Sequence, residues 1–231
     1  MQQVSALYIN ILSGSHWFET KLEIDDVGTF GETELFSVNT SHAMFGNTPE
    51  VGLAVSGEIS IKMLYPPVGI PTMACLRPYV RACNETEQSE WIPQGVYYID
   101  TRERTRDDSG ISFLTLHGYD AMLKAEQMYN GRITGDSTDT QMVAEIAYQM
   151  GVDVDSRTYD LMTAAYTIPL PTGYTYREVL GYIASMYAGC FIMTDDGKLR
   201  LVAIYELPAE TNYLIDQVGN AITFGGDRIL V

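Results

Sequence analysis

Hydrophobic and polar positions alternate with a period of two through much of the first half of the chain. In Glu58-Ile59-Ser60-Ile61-Lys62-Met63 the alternation is strict, with Ile59, Ile61 and Met63 on one face, as a half-buried strand requires. Residues 18–24 read the same way, and residues 34–38 form a second short candidate. Gly46, Gly52 and Gly57 punctuate the region as turns or bulges. Residues 66–71, Pro-Pro-Val-Gly-Ile-Pro, read as a connector, because a proline has no N–H to give a central ladder. A meander follows: a strand at 77–81, a polar loop at 84–90, a strand at 95–101, a charged hairpin tip at 102–110 and a return strand at 111–117. Ile111 and Phe113 fall on one face of the return strand, Leu114 and Leu116 on the other, which predicts a strand covered on both sides.

The period then changes. A short helix is predicted at 120–127, and a longer one at 138–150 with Val143, Ile146, Ala147 and Met150 on one face and Gly151 at its stop. Thr175-Tyr176-Arg177-Glu178 fits a capping box, so Thr175 and Glu178 are structural capping residues for a third helix. Its apolar face is Leu180, Ile183, Ala184 and Tyr187, and Gly189 ends it. Residues 190–193 and 198–204 flank Thr194-Asp195-Asp196-Gly197, a strong hairpin signal. The final ITFGGDRILV is strand-like and predicts either a strand that pairs elsewhere or the opening of a further domain. The expected class is mainly β with a small α+β unit, in several domains: 1–75 β, 76–130 a β-meander outer domain, 131–205 the helix-hairpin α+β domain, and 206–231 return strands or the start of a second β domain.

Composition narrows the chemistry. With 46% hydrophobic and 19% charged residues, the 231-residue chain can bury a core. It has no run of about 18 apolar residues, so no membrane insertion is expected. Its first residues carry no basic stretch followed by an apolar one, so no signal peptide is expected. The formal net charge is −16, and residues 1–75 hold eight acidic and two basic side chains, which argues against a nucleic-acid groove. Cys75, Cys83 and Cys190 are an odd set without metal spacing and read as small buried hydrophobes.

His16, His42 and His117 lie in no metal-spaced motif, and Asp25-Asp26, Asp107-Asp108 and Asp195-Asp196 stand at turns. Asp153-Val154-Asp155 lacks the rest of a calcium loop. No nucleophile, zinc-protease or phosphate-loop motif occurs, so no catalytic, cofactor or metal residue is expected and the chain reads as a non-enzyme. Sixteen Tyr, seven Phe and two Trp keep a sugar-binding module open as a different class of function. Trp91 and Tyr97-Tyr98 read instead as core or interface.

The segment QGVYYIDTRERTRDDSGISFLTLHGYDAML (94–123) resembles one found in phage tail hub proteins of Gram-positive bacteria and their prophages. VGLAVSGEISIKM (51–63) is similar to a strand pair of that family's first tube-forming domain, and TYREVLGYIASMYAGCFIMTDDGKLRL (175–201) to its small α+β domain. The family includes contractile-tail baseplate hubs, siphophage tail-associated lysin hubs and type VI secretion spikes. The resemblance implies a tube-type β-barrel domain in 1–75 and a homotrimer at the virion tail tip, assembled in the host bacterial cytoplasm. Its partners would be the distal tail, tape-measure and tube proteins. The trimer would cap the tail tube and leave a channel through which DNA passes unbound. Glu32, Glu34, Glu50 and Glu58 are candidates to line that channel, where carboxylates repel the phosphates. The competing expectations are a carbohydrate- or receptor-binding tail module and a peptidoglycan-degrading tail enzyme.

Overall fold

The computed structural model describes residues 4–43, 50–66 and 68–204, together with the backbone of two short strands near the C-terminus. Strand makes up 39% and helix 22%, so the protein is mainly β. After helix α1 (Ala6–Leu12) come strands β1 (Trp17–Ile24), β2 (Gly28–Phe30), β3 (Leu35–Ser41), β4 (Leu53–Ala54), β5 (Glu58–Leu64), β6 (Cys75–Cys83), β7 (Ile92–Pro93), β8 (Tyr97–Arg106) and β9 (Ser112–Asp120). A 3₁₀ turn (Ala121–Glu126), β10 (Ser137–Thr138), α2 (Asp139–Met150), α3 (Ser156–Leu161), β11 (Thr167–Ile168), α4 (Tyr176–Met186), β12 (Gly189–Met193) and β13 (Leu199–Ala203) follow. Strands β14 (Thr223–Phe224) and β15 (Asp227–Arg228) pair with each other. The expectation for 206–231 otherwise lies outside the described residues.

One antiparallel sheet runs β2-β1-β6-β8-β9-β5-β3, with β7 beside β6. The expected division at 75/76 falls inside β6, and strands from before and after it interleave. The connector at 66–71 explains this. It carries the chain from β5 across to β6, and β8 and β9 then fill the gap between them. The alternation read in the sequence holds, since Ile59, Ile61 and Met63 are all buried. They share a core with Leu22 and Ile24 from the other end of the sheet and with Leu76, Tyr97, Ile99, Leu114 and Leu116. Strands lie about 4.8 Å apart, so the sheet must curl for its ends to share a core.

It curls without closing, and the expected barrel is corrected to an open sheet among the described residues. Closure needs the end strands to pair, and β2, three residues long, bonds only the last turn of β1. The return strand β9 is covered on one face only. Leu114 and Leu116 enter the core, but Ile111, just before the strand, is 48% exposed, and Phe113 packs edge-on against Phe36 on the outer face.

The second core lies between α2, α4 and the β12–β13 hairpin, with Ile146, Leu180, Ile183, Phe191 and Leu201 at its centre. Asp-Gly makes the hairpin turn as expected, with Gly197 at φ +78°. Gly151 stops α2 in the left-handed region at φ +70°. Both long helices carry a reciprocal capping box, Thr138 with Gln141 and Thr175 with Glu178. The turn after β9 adds Met122 and Ala125 to this core, and β4 joins β12 in parallel, so the small unit recruits residues from three regions of the chain.

α4 lies on β4 through two glycines. A Cβ on Gly181 would sit 2.6 Å from the Gly52 carbonyl oxygen. Gly→Ala inside a helix normally stabilises by about 0.5–1 kcal/mol. Here overpacking against backbone decides the sign, and Gly181→Ala should destabilise by about 1–3 kcal/mol. Thr175→Ala should cost about 0.5–2 kcal/mol, because it orphans the Glu178 N–H. Urea denaturation measures both. A stabilised Gly181→Ala protein would contradict the close approach of α4 to β4.

Candidate functional site

The two cores meet at the end of β9, around Asp120. This residue is 2% exposed, and its carboxylate accepts the Gly57 N–H at 2.5 Å and the Met122 N–H at 2.9 Å. It therefore starts the 3₁₀ turn and fixes the entry to β5 in one step. Burial pushes its pKa up to about 6, against the pull of the two N–H donors and the nearby His42 and Arg177. Gly57 has no room for a side chain: a Cβ there would stand 3.0 Å from both the Asp120 Oδ2 and the His42 Nδ1.

Tyr97, fully buried, donates its hydroxyl proton to the Gln94 carbonyl at 2.9 Å. The His42 Nε2 lies 2.5 Å from the same hydroxyl oxygen, in a bond whose direction follows the imidazole tautomer. Burial, with Asp120 and Asp195 nearby, holds the Tyr97 phenol far above its usual range. The His42 Nε2 is also 3.9 Å from the Asp195 carboxylate on the β12–β13 turn, a second bridge between the sheet and the small unit.

Arg177, in the first turn of α4, makes the third bridge. It donates to the Ala54 carbonyl at 2.5 Å, the Ser56 hydroxyl at 2.8 Å and the Met122 carbonyl at 3.0 Å. Its Nε is 2.7 Å from the Glu126 carboxylate, close enough for an ion pair though poorly aligned for a hydrogen bond. Neither Asp120 nor Arg177 was singled out in the sequence. Asp120 hides in the LHGYD string, and Arg177 sits inside a capping box whose local signal says nothing about partners more than 50 residues away.

Beside this junction lies a cleft of 790 Å³, bounded by residues 50–56, the ends of β5 and β9, the 3₁₀ turn and the outer face of α4. Glu50 and Glu58 line it, with Glu126, Glu178, Tyr119 and Tyr182. Glu32 and Glu34 stand elsewhere, in the turn before β3, where the Glu34 carboxylate accepts the Gly31 N–H at 3.1 Å. That bond holds the Glu34 carboxyl below its usual range. Glu34 meets Leu64 at one end of β5 and Glu58 begins the other, so the two pairs lie about 20 Å apart at roughly 3.3 Å per strand residue. The four candidate channel residues thus form two separate pairs in one chain.

Thr175 and Glu178 come together at the start of α4: the Glu178 Oε2 accepts the Thr175 N–H at 2.7 Å. The three histidines do not converge. His16 bonds the Gly14 carbonyl, and His117 is exposed on the outer face of the sheet. Among the described residues no three His, Cys, Asp or Glu side chains are placed to hold a metal ion. No described helix is long and apolar enough to cross a membrane.

Two outcomes follow from the junction. Arg177→Ala strands the buried carbonyls of Ala54 and Met122, at about 1–3 kcal/mol for each lost acceptor partnership, and should lower stability in urea accordingly. Asp120 sets a pH dependence. Its pKa is raised by folding, so its contribution is full below about 3.8 and is lost as pH rises through about 6, in total roughly 3 kcal/mol. Asp155 acts in the opposite sense in a lower window. Arg157 holds its pKa near 2, so its contribution is lost only as pH falls below the ordinary value of 3.8. Urea titrations of wild type and Asp120→Asn from pH 4 to pH 7 should diverge across that range. Parallel curves would show that Asp120 does not titrate in it.

No protein-family signature matches the sequence, and no curated protein matches it. Solved structures do match by fold. A prophage MuSo2 43 kDa tail protein from Shewanella oneidensis aligns with a TM-score of 0.58 at 14% identity, over 86% of this chain and 59% of its own. A tail protein from Neisseria meningitidis aligns with a TM-score of 0.53 at 10% identity, over 91% of this chain and 56% of its own. The prophage tail protein gp18 of Listeria monocytogenes aligns at 0.47 and 9% identity. The chain therefore spans a little over half the length of the structures it matches. The likeness to phage tail proteins read from residues 51–63, 94–123 and 175–201 is present in the fold: this chain has the fold of prophage tail proteins.

Proposed function

We propose that the chain is a structural subunit of a phage or prophage tail tip, a baseplate hub that caps the tail tube and leaves a channel for DNA. The observation that carries this reading is the fold likeness to tail proteins over almost the whole chain, combined with two edges of one open sheet that are unpaired among the described residues. Strand β3 is seven residues long, LFSVNTS, without a charge or a proline. Such an edge lacks the usual guards against pairing. At the other end, residues 17–21 of β1 extend past β2 and carry Trp17 and Phe18, each 48% exposed.

Pairing of β3 in one copy with β1 in the next is a heterologous contact, which closes into a ring when the rotation allows. Three copies is the number implied by the family resemblance. In this reading the partners are the tube, distal tail and tape-measure proteins, and the subunit acts without catalysis at the virion tail tip after assembly in the host cytoplasm. Glu32 and Glu34, in the turn that leads into β3, are the carboxylates proposed to face the channel. Glu50 and Glu58 belong to the cleft.

The sugar-binding alternative draws no support from the aromatic positions. Tyr174 and Tyr182 form the one close pair of exposed tyrosines among the described residues, and they meet edge-on at 86° rather than as a flat platform. The enzyme alternative has, among the described residues, only Asp120 as a strongly raised carboxylate, and both of its oxygens are committed to backbone N–H groups.

Light scattering at high protein concentration tests the proposal. The chain should self-associate, and Phe36→Lys with Asn39→Lys, both exposed on the β3 edge, should return it to a folded monomer. A wild-type chain that stays strictly monomeric, or an association indifferent to these two charges, would count against it.

A further inference from the structure

We propose that the cleft beside α4 is a docking site for a short, basic segment of a partner polypeptide. The inference goes beyond the tail-tip reading and does not depend on it, since a chain that never forms a ring could still bind there.

The walls of the cleft meet where α4 packs on β4 at Gly52 and Gly181 and open outward from there. β4 is an outer strand of the three-stranded sheet β13-β12-β4, and residues 50–56 run along the cleft. Only Leu53 and Ala54 of this stretch are strand, and Gly52, at φ +81°, turns the chain just before them. The opposite wall is the outward face of α4, where Tyr182 is 58% exposed, and Val51 contributes a further apolar surface at 42% exposure. At 790 Å³ the cleft falls within the range of about 300–1,000 Å³ that holds compact ligands.

Charge selects the occupant. Four carboxylates line the cleft against one cation, Arg177, and that cation is spent on two carbonyls, a hydroxyl and Glu126. Glu50 and Glu58 form no ion pair among the described residues and lie next to apolar wall. Lys and Arg match this arrangement: their aliphatic stems lie along Val51 and Tyr182 while their heads reach the carboxylates, and a cation over the Tyr119 or Tyr182 ring adds to the attraction. A nucleic acid would be repelled by the same carboxylates.

The test uses a fluorescein-labelled heptapeptide of alternating lysine and valine and reads binding by fluorescence anisotropy. A matched peptide with glutamate in place of lysine serves as the control. The lysine peptide should bind and the glutamate peptide should not. Glu50→Gln with Glu58→Gln should weaken binding at least tenfold, and Tyr182→Ala severalfold. Glu85→Gln with Glu87→Gln removes the same charge from an exposed loop away from the cleft and should change affinity less than twofold. Equal losses in the two double variants would mean that the peptide senses only the overall negative field, and the proposal would fall. Failure of the lysine peptide to bind, or binding unchanged by Glu50→Gln with Glu58→Gln, would overturn it as well.

Discussion

Two charged groups at one junction, the buried Asp120 and the half-buried Arg177, tie the two cores together. Asp120 and Arg177 stand on opposite sides of the 3₁₀ turn, and each satisfies backbone groups that would otherwise be stranded between the cores. Asp120 takes two N–H donors and Arg177 two carbonyls, one from each pair belonging to Met122. An unpaired buried polar group costs about as much as several good surface contacts. The orientation of the small unit on the sheet is therefore set by polar satisfaction as much as by apolar burial. Gly57 and the Gly52–Gly181 contact are consequences of the same closeness, since a side chain at any of them would push the units apart.

The local signals in the sequence were good guides to local structure. The capping box at Thr175–Glu178, the Gly151 stop, the Asp-Gly hairpin and the alternation at Ile59, Ile61 and Met63 each depend on residues a few positions apart, and each is found in the fold. Two helices escaped notice: α1 and α3 are seven and six residues long, too short to display a helical period. The division at residue 75 failed as a sheet boundary for a topological reason. A proline-rich connector marks where a chain leaves one strand, but not how many strands will later be inserted between its two ends.

The candidate site was half legible. Of the four glutamates expected to line a channel, Glu50 and Glu58 share a cleft, and Glu32 and Glu34 form a turn pair at the far end of β5. What the sequence could not reveal was the long-range partnering. His42 reaches Tyr97 across 55 residues, and Arg177 reaches Ala54 across 123. Charge patterning along a chain reports the field around a protein. It does not report which carboxylates will face each other across a cleft.

In the proposed reading, function comes from shape and strand edges. The junction ties the small unit to an open sheet, whose β3 and start of β1 have strand partners on one side only among the described residues. The most direct test is an electron cryomicroscopy image of the self-associated protein at a resolution that resolves strands. The account predicts a threefold ring around an open lumen, with β3 of each copy beside β1 of the next. A two-fold particle built on β3 against β3, or an assembly without a lumen, would contradict it.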